Sequence, residues 1–447
     1  MDPLSSFEAV VVVVYAFFCG FGPGEHNHRN TNSFKGRKPE SEQRASAWNH
    51  FMVWFAPQPP PPPPPPPTTM EALVRLAPFL QGWDASSLAA AAILAGLYAL
   101  LTAAAGNDDG RKLKPWPAGL DVRHSCPGGV RAAAPYWQRL SGAIAATIFT
   151  VTYITVPLLL FAIPAAMFLW PRWWVTWALA GPFILSALAP PVASRSFLLS
   201  WPFRHMPTFF NFSEVREISD ADVQALIQAR PVIFSIQPHG VFSFGGASAG
   251  VAWAQRWWHP KQIPTAAASS VMMTPLVKHV VGLFGVVDAS NRSLTKWLSS
   301  GRSAVLYIGG IAELFLVSQS EERLFARKRK GFIKLALRNG AEVVPVYFLG
   351  NTSVLSVVTG ALLRRIARAT GVTLTWFWGW GGTLIPRPNK IVGVLGTPLG
   401  IPATPIAEPT QEQIDAFHDK YLAEVKRLFD TYKGHNPDYA DKELMFE

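Results

Sequence analysis

From Leu140 to Ser194 the chain runs 55 residues with a single charge, Arg172, set in "LWPRWW" near the midpoint. Helices on the surface of a soluble protein keep a polar face, so a stretch this long with no charge on any side belongs in lipid or deep in a core. A bilayer crossing takes roughly 20 apolar residues. The two apolar segments either side of the Pro-Arg break, about 20 residues or more each by that measure, predict a transmembrane helical hairpin over 140–194. Trp170, Trp173 and Trp174 around the break suit a membrane interface. Arg131 and Arg139 before the hairpin and Arg195, Arg204 and Arg216 after it outnumber Arg172, so the positive-inside rule puts both ends on the cytosolic side. The alternative is a hairpin buried in a soluble core.

Composition points the same way. Hydrophobic residues make up 49% of the 447 and charged residues 15%, against roughly 25% charged in soluble domains. A net charge of +11 favours anionic partners. The apolar content argues for a membrane surface or a polyanionic small molecule and against nucleic acid. Two cysteines, Cys19 and Cys126, exclude a disulfide framework or a Cys-rich zinc site and fit a reducing compartment. Residues 1–69 read as a low-complexity, disordered leader. Nine prolines from Pro59 to Pro67 form an extended spacer, and the Val-rich run near the start lacks the basic flank of a signal peptide. Met70 is a candidate start for a shorter working chain. In the region 70–139, residues 85–106 are 22 uncharged residues that could span a membrane or lie on it.

After Ser194 the texture becomes that of an α/β domain, 195–447. "PVIFSI" (231–236), "SAVLYI" (303–308) and "EVVPVYF" (342–348) are apolar runs bounded by turn residues, as buried strands are. They alternate with helical patterns such as "RKGFIKLALRNG", which ends on Gly340. That order predicts a mostly parallel sheet covered by helices. Thr410 and Gln413 form a capping box for a last amphipathic helix, whose apolar stripe reads as core packing.

Four places could carry chemistry. In "SIQPHGV" the predicted strand ends at Pro238, His239 and Gly240. Open α/β sheets place ligands at such strand ends, and an imidazole there is a natural general base, or else merely a turn hydrogen-bonder. In "LYIGGIAELF", Gly309 and Gly310 permit close backbone approach, and Glu313 stands alone among apolar neighbours. Arg323, Arg327, Lys328, Arg329, Lys330 and Lys334 crowd the start of an amphipathic helix, where an anion could bind, although they could equally be a solvated face. "GASAG" (246–250) matches the nucleophile elbow of serine hydrolases, with Ser248 as nucleophile and Asp288 or Asp415 and His418 as partners. No convincing strand leads into Ser248.

Taken in order, these blocks resemble the diacylglycerol O-acyltransferase type 2 family, which includes monoacylglycerol and wax-alcohol acyltransferases. The resemblance covers about residues 140–440. Its motifs match at Pro238-His239-Gly240, at Gly309, Gly310 and Glu313, at Arg329-Lys330-Gly331-Phe332, and at Val344-Pro345-Val346 with Gly350 and Asn351. Where many members carry His or Glu, this chain has Gln237. The resemblance implies a glycerolipid-acyltransferase-like α/β sheet covered by helices and anchored by the hairpin. It implies acyl transfer from acyl-CoA to diacylglycerol, at the cytosolic face of the endoplasmic reticulum or on lipid droplets. His239 would be the general base, assisted by Glu313, with backbone N–H groups at Gly309 and Gly310 as oxyanion donors. Arg329 and Lys330 would meet coenzyme A phosphates, and Pro238, Gly240, Gly331, Phe332 and Asn351 would complete the substrate site. Acyl-CoA is the cosubstrate, with no cofactor or metal expected; the bilayer is a partner, and a homo-oligomer is compatible with this picture.

Overall fold

The computed structural model describes residues 85–105, 114–256, 263–318, 320–358, 360 and 376–447. The leader 1–69 lies outside them. The chain divides into two units at Ala90/Ala91. Of the first, only the start of helix α1 (Ala85–Ala105) is described. Everything below belongs to the second.

Two apolar helices follow β1 (Asp121–His124): α2 (Tyr136–Leu169) and α3 (Trp174–Leu188), with the expected break at Trp170–Trp173. The 34 residues of α2 rise about 50 Å at 1.5 Å each, and its two halves have different surroundings. In the first, Ala143, Ala145, Ala146 and Phe149 are buried. Gly142 lets the helix press against the short segment Phe203–Phe209, since a Cβ there would sit 2.2 Å from the His205 carbonyl oxygen. Beyond Val156 most of the large apolar side chains face outward, Ile163 being buried: Leu158, Leu160, Phe161, Phe168 and Leu169 are exposed, as are Trp174, Trp177, Leu185 and Leu188 of α3. By length and composition Tyr136–Val156 is apolar enough to cross a membrane, and half of it is buried within the protein. The second leg is shorter than the sequence suggested. α3 has 15 residues because Pro190 and Pro191 follow it, and a residue before proline is pushed out of the helical region.

Some of the flanking arginines have partners inside the protein. Arg131 and Arg139 are buried, with guanidinium nitrogens on the Ala103 and Ala105 carbonyls that end α1. Arg216 is buried in ion pairs with Glu214 and Asp220. Three of the five charges counted for the hairpin's orientation are therefore engaged within the protein.

The remaining strands are β2 (Ser213–Arg216), β3 (Val232–Gln237), β4 (Thr265–Ala267), β5 (Val286–Asp288), β6 (Ala304–Tyr307), β7 (Glu322–Leu324), β8 (Glu342–Leu349), β9 (Ser356–Val357), β10 (Phe377–Trp378), β11 (Val392–Leu395) and β12 (Leu444–Phe446). With β1, seven of them form one eight-stranded sheet in the order β1-β2-β11-β8-β3-β6-β4-β5. The block β8-β3-β6-β4-β5 is parallel throughout, whereas β11 runs antiparallel to β8. The three strands expected from apolar runs are thus neighbours at the centre, and β3 and β8 are buried at every position, as strands covered on both faces must be.

The covering helices are α4 (Asp220–Ala229), α5 (Phe244–Arg256), α6 (Asn291–Ser299), α7 (Gly331–Asn339) and α8 (Gln411–Tyr432). α8 opens on the expected capping box of Thr410 and Gln413, and α7 stops at Gly340, left-handed at φ 58°. The main core includes Ile333, Leu337, Val343, Tyr347, Val394, Tyr421, Leu428 and Phe429, on the α7 and α8 side of the sheet.

Candidate active site

Three motif residues come together at the carboxyl ends of the three central strands. His239 follows β3, Glu313 lies in the one-turn helix Ile311–Leu314 after β6, and Asn351 follows β8. Adjacent parallel strands lie about 4.8 Å apart, so residues distant in sequence meet here. Glu313 is buried at 2% exposure. Its Oε2 accepts the His239 backbone N–H at 2.7 Å and its Oε1 the Phe325 N–H at 3.2 Å. It braces the backbone that carries the imidazole and does not touch the ring. Burial raises its pKa to about 7, against the two N–H bonds that favour the ionised form. The side chain fits because residue 309 is glycine: a Cβ there would fall 2.0 Å from the Glu313 carboxyl carbon.

Asn351 clamps the other side. Its Nδ2 donates to the carbonyls of Pro238 at 3.3 Å and His239 at 3.1 Å, and its Oδ1 accepts the Gly245 N–H at 3.0 Å. Gly240 turns at φ 64°, with no space for a side chain, because a Cβ would sit 2.8 Å from Asn351 Nδ2. The imidazole Nδ1 lies 2.9 Å from the Gly240 carbonyl oxygen. A carbonyl can only accept, so Nδ1 carries the hydrogen and Nε2 keeps its lone pair. Burial lowers the pKa of His239 below its usual 6.5, partly offset by that bond, which favours the neutral ring.

His239 opens onto a cavity of about 400 Å³ between one sheet face and α5, lined mostly by apolar side chains. Phe149 and Tyr153 of α2, Phe234 and Ile236 of β3, Val346 and Phe348 of β8, and Trp253 of α5 are among its walls. Tyr307 and Ser243 also line it; the Tyr307 ring stands edge-on to His239 at 5.1 Å, and burial lifts its hydroxyl pKa to about 12. Sequence reasoning passed over both, because a Tyr in an apolar strand and a Ser in a turn carry no signal of their own.

The basic block is divided. Arg329 is exposed beside the site, its guanidinium over the Phe325 ring and 3.4 Å from the Gly309 carbonyl. Lys330 pairs with Asp415 at 2.7 Å, and Gly331 is the exposed first residue of α7. Phe332 belongs elsewhere. It packs in the core 4.8 Å from the Tyr421 ring, because α7 turns this position toward the sheet. Gln237, the unplaced residue of the motif, donates to the Tyr421 hydroxyl at 2.8 Å and so ties the last residue of β3 to α8.

The diacylglycerol acyltransferase family model matches residues 167–447, well over half of the chain. The chain belongs to that family. Diacylglycerol O-acyltransferase 2 of Dictyostelium discoideum is 34% identical over 229 residues, covering 47% of this chain and 68% of the relative. Its namesake from Danio rerio is 30% identical over 230 residues, covering 46% and 62%. Mouse 2-acylglycerol O-acyltransferase 1 is 29% identical over 246 residues, covering 51% and 73%. Across the curated relatives compared with it, the chain spans between 49% and 73% of their length.

A hydrolase arrangement has no support beside this family site. Ser248 is fully buried inside α5, not on a strand-to-helix elbow. His418 Nε2 lies on the Ala326 carbonyl, and Asp288 is held by Ser269 and Ser290.

Proposed function

We propose that this protein is a membrane-bound acyltransferase that moves a fatty acyl group from acyl-CoA to the free hydroxyl of diacylglycerol, making triacylglycerol. The observation that carries it is His239: a half-buried imidazole whose Nδ1 lies on the Gly240 carbonyl, leaving Nε2 to face an apolar cavity, with its pKa lowered so that the neutral ring is favoured. Family membership supports the substrate class.

The thioester is already activated, so the enzyme must chiefly align the two substrates and accept one proton. Nε2 takes the hydroxyl proton as the acceptor oxygen attacks the thioester carbonyl. Negative charge on the carbonyl oxygen is met by backbone N–H groups at Gly309 and Gly310. The C–S bond then breaks, and the imidazolium returns its proton to the departing thiolate. Glu313 and Asn351 act as positioning residues that hold the His239 backbone from opposite sides. Arg329 and Lys330 receive coenzyme A phosphates, Lys330 exchanging its exposed Asp415 partner for the anion.

The exposed apolar half of α2 and α3 enters the bilayer from which diacylglycerol arrives, at the cytosolic face of the endoplasmic reticulum. Monoacylglycerol is the second acceptor to consider, since the mouse 2-acylglycerol O-acyltransferase 1 is among the relatives. Microsomes containing the protein, given labelled acyl-CoA and a panel of acceptors, should form triacylglycerol. Acyl transfer at an unchanged rate in His239→Ala would overturn the mechanism.

A further inference from the structure

One wall of the cavity beside His239 is built from α5. On α5 the residues facing it are small, Gly246, Ala247, Ala249 and Gly250, until Trp253. Two of the glycines have no room for more: a Cβ on Gly246 would meet the Tyr307 hydroxyl at 2.0 Å, and one on Gly250 would meet Phe284 at 2.7 Å. From Gly246 to Trp253 the helix rises about 10 Å, and the Trp253 ring meets Phe234 edge-on at 5.6 Å. Phe234 lies three residues before the last residue of β3, about 10 Å down the strand from the end that carries His239.

The indole cannot swing aside freely. Its Nε1 donates to Glu214 Oε1 at 2.7 Å. Glu214 is itself held by Arg216 at 2.6 Å and Arg256 at 2.6 Å, and Arg216 also binds Asp220. Such a network would be a costly thing to place beside an apolar cavity for packing alone, since each ion must give up water. Here it fixes a large flat ring at a defined depth.

We propose that Trp253, pinned by Glu214, is the stop of an acyl-chain ruler: the tail of the acyl-CoA runs from the thioester at His239 along the small-residue face of α5, and its length is read at the indole. This rests on the acyl-transfer reading above. A cavity of about 400 Å³, near the lower end of the roughly 300–1,000 Å³ of ligand pockets, suits one chain and not the donor's chain together with both of diacylglycerol's.

The test uses the full-length protein in microsomes with a series of saturated acyl-CoA donors at fixed diacylglycerol, and then a series of diacylglycerols at fixed donor. Because a methylene accepted or refused by a rigid pocket changes kcat/KM roughly 10- to 200-fold, Trp253→Ala should raise the ratio of rates for donors longer than the wild-type optimum by at least about tenfold. Ala249→Leu, one turn nearer His239, should move the optimum to shorter donors. Opposite shifts distinguish a ruler from general damage, which lowers all donors together. A donor optimum unmoved in both variants, or a shift confined to the acceptor series, would overturn the proposal while wild-type acyl transfer stands. Absence of acyl transfer in the wild type would instead remove the reading beneath it.

Discussion

Replacing Glu313 by Gln keeps the shape of the side chain and removes its charge, and it probes the link between a buried carboxylate and the base it supports. Both carboxylate oxygens accept backbone N–H groups, from His239 and Phe325. A glutamine has only one acceptor oxygen, so one N–H must face an NH₂ group. Losing a hydrogen bond to a charged group costs about 1.5–3 kcal/mol. If that cost falls on the placement of His239, kcat/KM drops roughly 10- to 150-fold.

The pH dependence is more diagnostic. On the proposed mechanism, activity requires Glu313 ionised and His239 neutral. With Glu313 near 7 and His239 below 6.5, the acid limb of the wild-type profile belongs to Glu313 and has its midpoint near 7. In Glu313→Gln the limb should move below 6.5, where only His239 titrates. Stability runs the other way. The folded pKa of Glu313 is raised from 4.5 to about 7, so the folded state binds more protons between those values and loses stability as pH rises through them, by about 3 kcal/mol. That slope should vanish in the variant. The assay is acyl transfer against pH, beside denaturant unfolding in detergent. A variant whose acid limb stays at the wild-type midpoint would refute the reasoning.

His239→Ala should lower kcat/KM by about 10²- to 10⁴-fold, whereas Ser248→Ala should retain acyl transfer, measured in the same microsomes. Asn351→Ala should lower stability by about 1–3 kcal/mol in denaturant unfolding, because it strips partners from two carbonyls and the Gly245 N–H. Gly309→Ala should reproduce the Glu313→Gln rate loss, since the new methyl group takes the space of the carboxyl. Phe161→Asp with Leu185→Asp should weaken flotation with liposomes, as an acidic residue at the centre of a membrane helix costs about 2.5–3.5 kcal/mol.

The central strands were legible because burial on both faces leaves an unbroken apolar run, and β3, β6 and β8 fall within a residue or so of where those runs lie. The stops of α7 and the start of α8 were legible from local chemistry, a left-handed glycine and a capping box. Short strands such as β2 and β11, with four residues each, carry too little pattern and gain their place only by pairing. His239 and Glu313 stood out as polar groups in apolar runs, but that Glu313 holds a backbone N–H depends on the parallel pairing of β3 with β6. The partners of the arginines before and after the hairpin were not legible, because a charge count says nothing about them; Arg216 has Glu214 and Asp220. Trp253 was silent for the same reason: one indole in a helix shows its depth only once the sheet beneath it is known.

α2 runs from the core into the exposed apolar stretch, but Pro157 and Pro164 lie within it, and an interior proline takes away a helical hydrogen bond and favours a kink. Its buried half is keyed to the domain at Gly142, so the two prolines decide how the outer half leaves the domain. One residue inserted between Gly142 and Pro157 would turn the outer half by about 100° and advance it by about 1.5 Å, re-aiming its exposed apolar side chains relative to the cavity. Trimming the helix to obtain a water-soluble fragment would, for the same reason, cut into the wall that Phe149 and Tyr153 give to the cavity.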